Sequence, residues 1–200
     1  MTGKTHISLG MITTLLLTKP DTPKDIVICL GVCSIGSVLS DIDVSTSESS
    51  NVFNKTLATL GISIMVLFFA ECKWGICIHN SINESILRII IGLIFFLCVC
   101  IYGRNKPHRS FMHSFLAITL ITMATYIILP EGAIYMAISM LSHVLIDILN
   151  KKKVQILYPI DKGISLNLCK ADGVVNNLLF RISSILLMGY IIYNIFISIL

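Results

Sequence analysis

Apolar residues fall in seven runs along the chain, each closed by a polar or proline-bearing break. The runs are Thr5–Thr18, Ile26–Ser40, Leu57–Ala70, Ile86–Tyr102, Phe111–Leu129, Gly132–Leu149 and Ile182–Leu200, and their length and apolarity predict helices. The first three are short. About 14 residues at about 1.5 Å rise cover about 21 Å of a hydrocarbon core about 30 Å thick. They are expected to stop part-way, to form an interfacial or re-entrant pair, or to sit under a thinned bilayer. Lys19-Pro20-Asp21-Thr22-Pro23 turns the chain after the first run, Ser45–Ser50 forms a serine-rich loop, and Leu129-Pro130-Glu131-Gly132 makes a tight connection. The stretch Asn150–Arg181 mixes lysines with Val154-Gln155-Ile156-Leu157, which predicts a folded flap on the membrane surface of a single domain, residues 1–200.

Composition turns these helices into membrane helices. Hydrophobic residues make up 55% of the chain and charged residues 13%, with a mean hydropathy of +0.87. A soluble domain carries about 25% charged residues, so this chain lacks the polar surface to face water all round. The expected fold is an all-α, polytopic membrane bundle of about seven helices in contact with the lipid bilayer. A net charge of +4 is too small to imply a nucleic-acid partner. Met1–Lys19 has the look of a signal peptide without a small-residue cleavage site, and is expected to stay in the mature protein. The seven cysteines form no C-x-x-C pair, and most lie in apolar runs as small hydrophobes.

Threading seven helices back and forth places Lys4, Lys55, Arg104, Lys106, Arg109, Lys151, Lys152, Lys153, Lys162, Lys170 and Arg181 on the side of Met1. The other side receives Lys19, Lys24, Lys73 and Arg88. By the positive-inside rule the N-terminus is cytoplasmic, and with seven spans the C-terminus lies outside. The same threading gathers His6, Asp41, Asp43, His108, His113, His143 and Asp147 on the cytoplasmic face. His143 and Asp147 are spaced i, i+4 and share one helical face, either as two ligands of one ion or as a ligand with its orienting carboxylate. Asp41 and Asp43 can face one ion only if the chain turns there. Ser110 is the expected N-cap of the fifth helix, with His113 in its first turn and His108 in the loop before it.

Imidazole and carboxylate without thiolate fit zinc, manganese or iron better than magnesium. His6, Asp41, Asp43, His113, His143 and Asp147 are the candidate ligands. Seven candidate groups exceed what one tetrahedral ion uses, so either two ions are bound or some groups orient ligands and act as general base. Arg109, beside Lys106, could clamp a phosphate or carboxylate, or serve only as a topological charge.

At these residues the chain resembles the YdjM-type, LexA-binding, inner-membrane metal-dependent hydrolases. The matching pieces are Thr5-His6, Gly36-Ser37-Val38-Leu39-Ser40-Asp41-Ile42-Asp43 and His108-Arg109-Ser110-Phe111-Met112-His113-Ser114. They continue with Leu141-Ser142-His143-Val144-Leu145-Ile146-Asp147 and Val154-Gln155-Ile156-Leu157-Tyr158-Pro159. The family forms are P-D-x-D, H-R-G-x-T-H-S and H-x-x-x-D followed by a T-P-x-G-like turn. Here Ser40 replaces the proline, Ser110 the glycine and Met112 the threonine, and Asn150-Lys151-Lys152-Lys153 stands where the turn would be. Every His and Asp of the motifs is kept. The resemblance implies a membrane-embedded hydrolase of the bacterial inner membrane; by their own chemistry, Asp43, His108 and Arg109 are the catalytic candidates beside the ligands. Its location suits an amphipathic, lipid-like or phosphoester substrate. Two further readings are a divalent-metal transporter or sensor, and a non-enzymatic membrane partner of a cytoplasmic regulatory protein.

Overall fold

Helix starts are written in the side chains that meet the first free backbone N–H groups. In a computed structural model, which describes residues 1–44, 47, 50–59, 62, 65 and 83–199, Thr22 caps α2 (Pro23–Leu39) by accepting from the Asp25 N–H, with Pro23 in the first turn. Asn83 accepts from the Ile86 N–H to open α4 (Glu84–Arg104), and Ser114 accepts from the Ala117 N–H to open α5 (Phe115–Ile128). α1 (Gly3–Thr18) stops at Lys19, which takes a left-handed φ of 45° just before Pro20. α3 is helical over residues 50–59. α6 (Ala133–Ile148) and α7 (Val174–Ile199) complete the bundle, and 3-10 turns cover Ser40–Asp43, Phe111–His113 and Pro130–Gly132. Among the described residues there are no strands, only isolated bridges at Asn150–Cys169 and Val154–Ile164. The fold is all-helical, as the apolar runs predict.

Among the described residues, four segments are long and apolar enough to cross a membrane: Pro23–Asp43, Glu84–Arg104, Pro130–Ile148 and Val174–Phe196. α6 lies at the centre, packed on α1, α2 and α5, while α4 packs on α5 and α7 on α1. Small residues allow the central helices to approach. A Cβ on Gly10 would stand 2.0 Å from Ser37 Oγ, and one on Gly36 would stand 2.1 Å from Ser139 Oγ. Membrane helices associate through such close packing, because lipid offers no hydrophobic penalty to drive them together. Below the polar end, Leu39, Ile42, Cys100, Phe111, Met112, Ile121, Met140 and Val144 form the main apolar core. Cys29, Cys33 and Cys100 are free thiols buried in apolar surroundings.

Three predicted helix starts move by four residues or more, and the first of them is that of α3, helical from residue 50 although its apolar run begins at Leu57. The cap of the fifth helix is Ser114, not Ser110, so His113 sits in a 3-10 turn ahead of the helix rather than in its first turn. Two serines four apart offer equivalent caps, and packing of Phe111 and Met112 into the core selects the later one. α7 begins at Val174, eight residues before the predicted Ile182, and shortens the flap accordingly. Asn176 is no polar break: it is 2% exposed and accepts from the Thr2 N–H at 3.1 Å and the Thr5 hydroxyl at 2.9 Å. Most of the predicted third helix beyond residue 59, with Cys72 and Cys77, lies outside the described residues.

Candidate metal centre

Three elements bring four donors together. The 3-10 turn after α2 carries Asp41, the 3-10 turn before α5 carries His113, and the last turns of α6 carry His143 and Asp147. One donor atom from each lies within 4.8 Å of all the others. His143 Nε2 is 3.6 Å from Asp41 Oδ1, while His113 Nε2 is 3.6 Å from Asp147 Oδ2 and 3.8 Å from Asp41 Oδ1. These gaps exceed the 2.7–3.2 Å of a direct N–H···O bond. They approach the separation of about 3.4 Å that tetrahedral geometry imposes on ligands about 2.1 Å from one ion.

The hydrogen-bond inventory supports the same fit. His143 Nδ1 lies 2.6 Å from the Ser37 carbonyl, which can only accept, so Nδ1 carries the proton and Nε2 presents its lone pair to the cluster. That Nε2, and both nitrogens of His113, are buried without a hydrogen-bond partner. Leaving such atoms unmet costs about 1–3 kcal/mol each. Burial also pushes the His113 pKa below its ordinary value, with the Asp147 carboxylate opposing, and so favours the neutral ring a cation needs. Imidazole and carboxylate donors of this kind suit a divalent transition metal, and the residues present fit one.

Asp147 anchors the group. Its Oδ2 accepts from Arg109 NH2 at 2.7 Å, and its Oδ1 accepts from Asn150 Nδ2 at 2.9 Å and from the Met1 ammonium at 2.8 Å. His6 is 1% exposed and stacks on His143 with ring centroids 3.7 Å apart, its Nε2 3.4 Å from Asp147 Oδ1. It borders the four-donor group without belonging to it. A second group of possible donors shares His113: Asp43 Oδ2 is 3.8 Å from His113 Nδ1, and Asp43 Oδ1 is 2.8 Å from His108 Nδ1. The Asp43 side chain is fully buried, whereas His108 is one-third exposed.

Arg109 is buried and sits at a left-handed φ of 68°, a conformation that costs a non-glycine residue on the order of 1–3 kcal/mol. Four bonds hold it there. Its N–H donates to Asp43, its carbonyl accepts from the Gln155 N–H, NH1 donates to the Lys152 carbonyl at 2.6 Å and NH2 reaches Asp147. The loop is thereby tied to the flap and to both carboxylates. A cavity of about 560 Å³ opens beside the cluster, with Asp41, His108, Arg109, Asp147 and three flap lysines, Lys151, Lys152 and Lys170, in its walls.

The profile of the family described as YdjM inner membrane protein matches residues 1–199. The chain belongs to the YdjM inner membrane protein family. No curated protein and no solved structure matches it. An inner-membrane setting agrees with the four helices able to span. In this YdjM-family chain the sequence motifs converge at one end of the bundle, though not on equal terms. Asp41, His113, His143 and Asp147 meet as one group, Asp43 and His108 form a pair next to it, His6 stacks behind His143, and Arg109 braces Asp147. Sequence reasoning missed the Ser37 carbonyl and Asn150. A backbone carbonyl carries no signal of residue type, and Asn150 reads as the start of a lysine-rich turn.

Proposed function

We propose that this YdjM-family protein is a metal-dependent hydrolase working at the cytoplasmic face of the inner membrane on an amphipathic, phosphoester-bearing substrate. The observation that carries this reading is the set of buried imidazole nitrogens without hydrogen-bond partners, facing two carboxylates at 3.6–3.8 Å. Asp41, His113, His143 and Asp147 would hold the ion, zinc or manganese by their donor chemistry, with room for a second at Asp43, His108 and His113. A divalent cation there supplies Lewis-acid polarisation and acidifies water.

The chain's own residues supply the remaining roles. Where that second position is empty, Asp43 holds His108 through Nδ1 and leaves Nε2 to take a proton from water, and the carboxylate stabilises the imidazolium that results. Arg109 spends both ends of its fork on Asp147 and the Lys152 carbonyl, so in this reading it positions a ligand. The anionic part of the substrate falls instead to Lys151, Lys152 and Lys170. The cytoplasmic orientation rests on the 11-to-4 bias of Lys and Arg between the two sides.

Elemental analysis of the detergent-purified protein tests the reading directly. Wild type should retain a divalent transition metal after dialysis, His113→Ala should retain none, and hydrolysis of a chromogenic phosphodiester should follow the metal. Equal metal content in the two proteins ends the proposal. Reporters fused in the flap and after Leu200 should report cytoplasmic and external sides; the same side for both would mean an even number of crossings.

A further inference from the structure

The flap between α6 and α7 carries a surface that neither the fold nor the metal cluster uses. Leu157, Ile160, Ile164, Leu166 and Leu168 are each 50–71% exposed within 12 residues of chain. A loose loop could hide such residues, but this segment is fixed. The Leu166 N–H donates to the Ile148 carbonyl and the Leu168 N–H to the Leu149 carbonyl, so the chain is stitched to the end of α6. Val154 and Ile164 exchange both backbone bonds, at 2.8 and 2.9 Å, and the Phe115 N–H donates to Ile156 at the start of α5. Large apolar side chains concentrated and exposed on a fixed segment mark a surface made to be covered.

We propose that this flap is seated in the headgroup layer of the bilayer its helices already cross, with its apolar side chains at the acyl boundary and its lysines on anionic lipid. Continuity argues for this occupant. The flap leads directly into α7, a helix long and apolar enough to cross a membrane, whose Val174, Leu178, Ile182, Ile185 and Leu186 are 48–84% exposed. Charge argues for it as well. Residues 150–173 hold five lysines, all exposed, against Asp161 and Asp172, and basic residues at a membrane surface are drawn to anionic headgroups. The same excess of lysine repels a second copy of the flap. The seat has a geometric result: Lys151, Lys152 and Lys170 belong both to the flap and to the cavity walls, so the cavity opens at headgroup level. The seating stands whether or not any reaction occurs there.

The test places a fluorophore in the flap of the full-length protein. Leu168→Trp is made in a Trp74→Phe background, which removes the chain's single tryptophan, and reconstituted in nanodiscs of phosphatidylcholine and phosphatidylglycerol. Its emission should be largely lost when the acyl chains are brominated near the headgroup, and should resist aqueous iodide. Leu157→Trp should repeat the result, so that one misfolded variant does not decide it. Replacing Lys151, Lys152 and Lys153 together by Gln should weaken bromolipid quenching in discs containing phosphatidylglycerol. Emission quenched by iodide and untouched by bromolipid in both variants overturns the seating and leaves the surface to a soluble partner. Quenching that ignores both the lysines and the phosphatidylglycerol content overturns the anionic part.

Discussion

α6 and α7 are both long and apolar enough to cross a membrane, yet 61% of the spanning stretch of α6 is buried inside the protein and 6% of that of α7. Over the stretch that can span, the buried helix has the lower mean hydropathy, 1.3 against 1.7. Ser139, Ser142, His143 and Asp147 all turn inward from α6, whereas α7 buries two polar side chains, Asn176 and Ser183, and offers Ile185, Leu186, Met188 and Ile192 outward. In water the apolar helix would be the central one. In lipid the order reverses, because polar groups gain by leaving hydrocarbon while apolar groups gain nothing. Inner position therefore follows the side chains that need protein partners.

The contrast can be broken most sharply through metal. His143→Ala and Asp147→Asn on α6 should each bring metal content down to background, while Ile185→Ala on α7 should leave it at the wild-type level; elemental analysis reads all three. His6→Ala, which removes the ring stacked behind His143, should weaken affinity about 10-fold and no further. An equal loss in His6→Ala and His143→Ala would put His6 among the ligands.

Packing gives the next largest effect. Gly36→Leu would drive a side chain into Ser139 at the α2–α6 contact and should destabilise the protein by about 1–3 kcal/mol, seen as a lower thermal midpoint in detergent. Ile185→Ala on the lipid face should stay within about 0.5 kcal/mol. The smallest effect belongs to the inward end of α7. Asn176→Ala strips partners from the Thr2 N–H and the Thr5 hydroxyl and should cost about 0.6 kcal/mol, the scale of hydrogen bonds between membrane helices. A cost of zero would leave the hold of α7 on α1 to close packing and the 2.7 Å hydrogen bond between Ser8 and Ser183.

How much of this was legible in the chain depends on which interactions leave a mark in residue types. The i, i+4 spacing of His143 and Asp147 and the D-x-D of Asp41 and Asp43 announced a cluster, since ionisable groups at the end of apolar runs need partners. The pattern could not rank them. Asp147 was open as either ligand or partner of His143, and the partner proved to be the Ser37 carbonyl, 106 residues away. The start of α7 was hidden for the opposite reason: Asn176 looks like a break until the Thr2 and Thr5 groups that satisfy it are in view. The serine caps failed because short-range chemistry allowed two answers, and the tertiary packing of Phe111 and Met112 decided between them.

A helix surrounded by smooth apolar neighbours can turn about its own axis as a shaft turns in an oiled sleeve. The 2.6 Å bond from His143 to the Ser37 carbonyl works as a keyway for α6. Slipping by one residue would rotate the helix by about 100°, unlock the key and swing Asp147 away from Arg109 in the same movement. The angular setting of the inner helix and the aim of His143 and Asp147 are thus a single mechanical quantity.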